Sequence, residues 1–225
     1  METRRVSLTF RGGILESLGY SILSILLFLC VIPAAWGATS LLRWGMERIE
    51  RTDGGHIRFE GRGGQVWPLF IALIALIILP QCAHSLFGRP EGPGFILLLT
   101  LVLLPLIAAV KLAIYRWIID NLRLTPGGQA RLTASYGGYL GWLVILNASI
   151  FTLVGWAWVV PALLRWLAGS VQGDGYGLEF VGTGWGLLWR AALWTVGILF
   201  VIPIPWVLRS VYGWFTDNTV LVLEE

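Results

Sequence analysis

Val6-Ser7-Leu8-Thr9-Phe10-Arg11-Gly12 alternates apolar and polar side chains as far as Phe10 and then meets a glycine. Directly behind it, Ser17 to Leu42 carries no Asp, Glu, Lys or Arg. Alternation with a period of two is the pattern of a half-buried strand. The uncharged run exceeds the roughly 20 apolar residues that a helix needs to cross a bilayer core. The local reading is a short strand feeding an apolar helix, and the rest of the chain repeats it.

The last unit reads Phe180-Val181-Gly182, an apolar run, Pro203, Trp206 and Trp214. It matches Phe10-Arg11-Gly12, Pro33, Trp36 and Trp44, with the same spacing at every step. A second unit opens with His56-Ile57-Arg58-Phe59-Glu60-Gly61 and holds two apolar runs, split by Arg89-Pro90-Glu91-Gly92-Pro93. A third is degenerate. It opens with Gln129-Ala130-Arg131-Leu132 and has Ala134 in the glycine position, while Trp158, Arg165 and Trp166 keep the spacing of Trp36, Arg43 and Trp44. Tyr176-Gly177-Leu178-Glu179-Phe180 and the closing Thr219-Val220-Leu221-Val222-Leu223 also read as strands. The units run over approximately 6–52, 56–124, 129–172 and 176–223 of a single membrane domain, 1–225. Unpaired strand edges cannot sit in hydrocarbon. The strands are therefore expected at the membrane surface, where they can pair into a small sheet. Gly12, Gly61 and Gly182 are expected to permit the sharp turn from strand to helix.

Composition supports the membrane class. Of 225 residues, 56% are hydrophobic and only 13% charged, too few charges to coat a soluble surface. Disordered and collagen-like chains and broad basic nucleic-acid faces are excluded on the same grounds. The net charge of +3 sits in a few connectors, as membrane orientation requires. Most of the 13 Trp fall near the ends of apolar runs, where interfacial anchors belong. Cys30 and Cys82 lie in apolar runs and support neither a disulfide nor a zinc site.

The expected fold class is thus an all-α polytopic membrane protein built from repeated strand–transmembrane-helix units. Ser17–Leu42, Gly63–Gly88, Gly92–Val110, Leu132–Leu164 and Phe180–Leu208 each have the length to cross, so at least five crossings are expected, and up to eight if every unit is a hairpin. The first run is read as a span and not as a cleaved signal, because Glu16 precedes it and the run recurs. With alternating crossings, Arg43, Arg48, Arg51, Arg58, Arg62, Arg116, Arg123, Arg131 and Arg209 share the cytoplasmic side. With hairpins, Arg4, Arg5 and Arg11 join them and every strand lies on one face, but Arg43 is carried toward the membrane, where Glu47 is its expected partner. Both arrangements leave the C-terminus cytoplasmic and Arg89 outside.

The Phe-x-Gly openings, the apolar run ending in Pro and Trp, and Trp214-Phe215-Thr216-Asp217-Asn218-Thr219 resemble the YjgN-like family of bacterial inner-membrane proteins. Phe10, Gly12, Pro33, Trp36 and Gly55-His56-Ile57-Arg58-Phe59 carry the rest of the likeness. The chain departs from that pattern between Trp36 and Arg51, where Glu47 and Glu50 offset Arg43, Arg48 and Arg51. The resemblance implies a multipass protein of the bacterial inner membrane and no particular activity.

No catalytic constellation, cofactor site or metal site is read from the sequence. His56 and His84 fall in different settings, and Gly182-Thr183-Gly184-Trp185-Gly186 lacks the strand and lysine of a phosphate loop, so it reads as a tight turn with close helix packing. Gly137 and Gly141 have the spacing that lets membrane helices approach. Polar groups within apolar runs are the candidate functional residues: Arg43, Lys111, Asn147 and Arg190, with Arg116 as a lipid-contact residue. The expected function is a non-enzymatic accessory or scaffold subunit. Its partners would be the lipid bilayer and a membrane protein or a second copy of the chain, with no nucleic acid. A small-solute or ion transporter or channel is the alternative.

Overall fold

Strand β1 (Thr3–Phe10) leads into a hairpin of two helices, α1 (Ile14–Leu29) and α2 (Ala34–Glu47), and the chain returns as β2 (Ile49–Arg51). The same strand–helix–helix–strand order follows three more times. The second unit is β3 (His56–Phe59), α3 (Gly63–Leu86), α4 (Pro93–Asp120) and β4 (Leu122–Thr125). The third is β5 (Gly128–Leu132), α5 (Tyr136–Ser149), α6 (Trp156–Gly169) and β6 (Val171–Gly173), with a 3-10 turn at Ile150–Thr152 between its helices. The fourth is β7 (Tyr176–Phe180), α7 (Gly184–Leu199), α8 (Ile204–Asp217) and β8 (Thr219–Glu224). This computed structural model describes residues 3–29, 33–86, 93–125, 128–173, 175–199 and 204–224. Cys30, the loop around Arg89 and Pro203 lie outside them.

The eight strands pair antiparallel in chain order and close into a barrel, β8 returning to β1. This overturns the all-α expectation. The strands are not accessory to a helical bundle but the element that joins all four units. Closure gives every strand a partner on both sides, so the edge problem that suggested an open surface sheet does not arise. The register repeats with the units: Phe10 faces Ile49, Phe59 faces Leu122, Leu132 faces Val171 and Phe180 faces Thr219. Where one unit gives way to the next, Gly54, Gly128 and Gly175 take φ +78°, +80° and +76°. Glycine reaches this left-handed region without the steric cost a Cβ imposes.

An eight-stranded barrel has an interior just wide enough for side chains to fill. Here Val6, Leu124, Ala130, Val171, Tyr176 and Leu221 are buried in one continuous apolar cluster. The cluster extends into the helices through Leu112, Tyr139 and Leu163. Neighbouring helices pack in chain order, and α8 packs back on α1.

Because both strands of each unit belong to one barrel, every pair of helices leaves and returns to the same end. The runs Ser17–Leu42, Leu132–Leu164 and Phe180–Leu208 are therefore not single crossings. Each contains the descending and returning legs of a hairpin. Among the described residues two helices are long and apolar enough to span a bilayer, over Gly63–Cys82 and Gly94–Asp120, both in the second unit.

Candidate functional site

The junction between barrel and helices is built from three repeated contacts, each starting from a motif residue. The Phe that ends the first strand of a unit meets the Trp near the end of its second helix edge to face. Phe10–Trp44, Phe59–Trp117 and Phe180–Trp214 have ring centroids 5.5, 5.4 and 5.6 Å apart. Edge-to-face pairs of this kind contribute about 0.5–1.5 kcal/mol beyond the area they bury. The glycine two positions after the Phe lies beneath these rings. A Cβ on Gly12, Gly61 or Gly182 would stand 2.4, 2.4 or 2.5 Å from the Phe ring. None of these glycines has positive φ, so the strand-to-helix turn does not need glycine for its backbone. It needs glycine because the rings approach it. In the third unit Leu132 and Ala134 replace the pair, and Trp166 covers Gly138 instead.

A second contact closes each unit. The amide N–H after the Phe, or after Leu132 in the third unit, donates to the carbonyl of the residue that directly follows the second helix. Arg11 donates to Arg48, Glu60 to Asn121, Thr133 to Ser170 and Val181 to Asn218, at 3.1, 3.0, 2.8 and 2.9 Å. The side chains of Asn121, Ser170 and Asn218 donate back to the carbonyls of Trp117, Trp166 and Trp214. These bonds satisfy carbonyls that a helix C-terminus would otherwise leave bare.

The third contact joins one unit to the next. Arg43 Nη2 donates to the carbonyl of Gly61 at 2.8 Å, Arg116 Nη2 to Ala134 at 2.9 Å, and Arg165 Nη2 to Gly182 at 3.1 Å. Each arginine directly precedes the motif Trp. The corresponding residue of the fourth unit is Gly213. At that seam Tyr212 takes over, stacking on Phe10 and donating its hydroxyl to the Leu41 carbonyl at 3.2 Å.

The sequence candidates do not converge on one site. Arg43 and Arg116 share a bridging role but sit at different unit junctions, and the partner of Arg43 is the Gly61 carbonyl, not Glu47. Asn147 donates to Leu143 within its own helix. Arg190 donates to Gly186 and lies 4.5 Å over the Trp189 ring. Lys111 is half-buried on α4, with no ion pair among the described residues. A Cβ at Gly137 or Gly141 would meet open space, so no close helix approach rests on these glycines within the chain, whereas Gly184 is covered by Trp158. His56 is exposed on β3, and the side chain of His84 lies outside the described residues. Among the described residues no three His, Cys, Asp or Glu side chains gather as metal ligands.

Two features were not among the candidate functional residues of the sequence. Arg165 is the third bridging arginine, and its signal is the Arg-Trp dipeptide shared with Arg43-Trp44 and Arg116-Trp117. The other is an ion pair in the β2–β3 turn. The Arg51 side chain is fully buried and meets Asp53 through Nε–Oδ1 at 3.0 Å and Nη2–Oδ2 at 2.5 Å. Burial by itself raises the Asp53 carboxyl. The hydrogen bonds from Arg51 and the Gly55 N–H, with the guanidinium charge, outweigh that and hold it below the ordinary carboxylate value. No sequence signal distinguished this Arg from its exposed neighbours.

Arg43, Glu47, Arg58, Glu60, Arg62 and Gln65 line an open groove of about 650 Å³ where the first two units meet. Arg58 and Arg62 are exposed there. No protein-family model, curated protein or solved structure matches the chain.

Proposed function

We propose that the protein is a membrane-embedded, non-enzymatic scaffold whose barrel lies at the cytoplasmic surface and whose helical hairpins enter the bilayer. The observation that carries this is the exposure of α3 and α4. Only 17% and 22% of their most apolar windows are buried inside the protein. A soluble protein covers such helices; here Leu97, Leu98, Leu101, Val102 and Leu106 face outward from α4. Charge is distributed in the opposite way. Arg4, Arg5, Arg11, Arg48, Arg51, Arg58, Arg62, Arg123 and Arg131 lie on or beside the strands, which favours the cytoplasmic face for the barrel.

The resemblance to YjgN-like inner-membrane proteins agrees with this reading and adds the bacterial inner membrane as its location. The buried cluster of Val6, Leu124, Ala130, Val171, Tyr176 and Leu221 argues against conduction along the barrel axis. The contacts at the barrel–helix junction are spent on holding units together, which favours a scaffold that packs against lipid and a membrane partner. The test is purification in mild detergent with mass spectrometry of what co-purifies. A stoichiometric membrane protein or retained lipid is expected. Recovery of the whole chain, monodisperse, from a detergent-free aqueous extract overturns the reading.

A further inference from the structure

The tip of the third hairpin combines exposed apolar side chains with polar groups many of which bond to one another. Ile150, Phe151 and Leu153 are 61%, 77% and 84% exposed, and Val154 is exposed beside them. Leu153 takes φ +60°, a position that water-facing turns usually give to Gly or Asn. Many of the polar atoms of the same turn find partners within it or in the adjoining end of α5. The N–H groups of Leu153, Val154 and Gly155 reach the Ile150 carbonyl, the Thr152 carbonyl and Thr152 Oγ1 at 3.1, 2.7 and 2.9 Å. Those of Ala157 and Trp158 reach Val154 and Gly155, both at 3.0 Å. Thr152 Oγ1 donates to Ser149, Ser149 Oγ to Leu146, and Trp156 Nε1 to Leu153.

A turn in water has no need to satisfy its own backbone, and a turn in hydrocarbon has no other option. Length points the same way. Helix α5 has 14 residues, about 21 Å, against a hydrocarbon core of about 30 Å. Helices α3 and α4, with 24 and 28 residues, reach about 36 and 42 Å. If the barrel sits at one surface, the second hairpin passes through the bilayer and the third ends inside it.

We propose that Ile150–Val154 is a re-entrant turn immersed in lipid acyl chains. The same apolar surface continues down α5 through Val144 and Ile145 and onto the neighbouring α4. That continuity favours acyl chains over a local protein groove as the occupant. This inference rests on the membrane reading above.

The experiment uses the full chain with Cys30→Ala and Cys82→Ala, carrying Leu153→Cys or, in a second variant, Phe151→Cys. The protein is reconstituted in sealed phosphatidylcholine–phosphatidylglycerol vesicles, and flotation is measured first. The expected result is a floating protein whose new thiol resists a membrane-impermeant maleimide added to both faces. After labelling with bimane before reconstitution, fluorescence should be quenched several-fold more by lipid carrying a nitroxide deep in its acyl chain than by lipid carrying one on its headgroup. A Gln129→Cys control on β5 should react with the maleimide. A floating protein whose tip thiol reacts overturns the re-entrant turn and leaves the membrane reading standing. A floating protein whose label neither reacts nor is quenched places the tip against protein and overturns the lipid assignment. A protein that does not float overturns both.

Discussion

Arg116 Nη2 donates to the carbonyl oxygen of Ala134 at 2.9 Å, and so ties the end of the second helical hairpin to the segment that opens the third. The bond adds to the β4–β5 pairing and to the bonds from Gln129 Nε2 to the Asp120 carbonyl and from the Tyr136 hydroxyl to the Pro105 carbonyl, which join the same two units. A hydrogen bond from a charged donor contributes about 1.5–3 kcal/mol. Arg116→Met keeps much of the aliphatic bulk and removes the donor. It is expected to lower stability by about 2 kcal/mol in detergent, read as a lower thermal midpoint. An unchanged midpoint would show that the bond does not hold the units together.

The fourth unit has glycine where the other three place the bridging arginine or its equivalent. Gly213 lies inside α8, and a Cβ there meets open space. Gly213→Ala is expected to raise stability by about 0.5–1 kcal/mol, because glycine loses more backbone freedom on folding. Gly213→Arg is expected to match it, since arginine is close to alanine in helix propensity. Thermal melting of the two variants beside the parent decides this, and a fall for Gly213→Ala would contradict the open site.

Gly61→Ala should have the opposite sign. Its Cβ would lie 2.4 Å from Phe59 Cζ and 2.7 Å from Trp117 Cζ2. Phe59 is fully buried, so the ring has nowhere to go. Overpacking of this kind costs about 1–3 kcal/mol. Gly177→Ala on β7, with nothing within 4 Å, is the comparison and should change little. Equal melting temperatures for the two variants would remove the steric role assigned to the Phe-x-Gly motif.

The Arg51–Asp53 pair predicts acid sensitivity. The Asp53 carboxyl is held below its ordinary value in the fold, so the unfolded chain binds its proton more readily. The pair therefore contributes its full stability above the unfolded carboxylate value, near pH 4, and loses it as the pH falls through the lower folded value. Asp53→Asn removes the partner carboxylate of a buried guanidinium and should cost about 3 kcal/mol at neutral pH. The variant's stability should also change less than the parent's between neutral pH and pH 3. Parallel pH–stability curves would exclude the pair as the acid-sensitive element.

By itself the sequence determined the repeat and the local form of its parts. Phe10, Gly12 and Trp44 recur as Phe180, Gly182 and Trp214 at one spacing because both units seat the same ring pair over the same glycine, and alternation marked five of the eight strands but not the short returning strands Ile49–Arg51, Leu122–Thr125 and Val171–Gly173. The third unit was harder to read for a physical reason: with Leu132 and Ala134 in place, the Phe–Trp pair is absent and Trp166 packs on Gly138. Tertiary structure alone decided the fold class. Strands of three to eight residues say nothing of which distant strand they join, and the closing ladder runs from Thr3–Glu224 to Ser7–Val220 across the whole chain. It also decided the direction of the helices. Leu132–Leu164 is uncharged throughout, yet it holds two helices and a turn made of Ile150, Phe151, Thr152 and Leu153. Hydropathy measures how apolar a segment is and carries no information about where the chain reverses. That reversal follows from the barrel, which receives both ends of every hairpin.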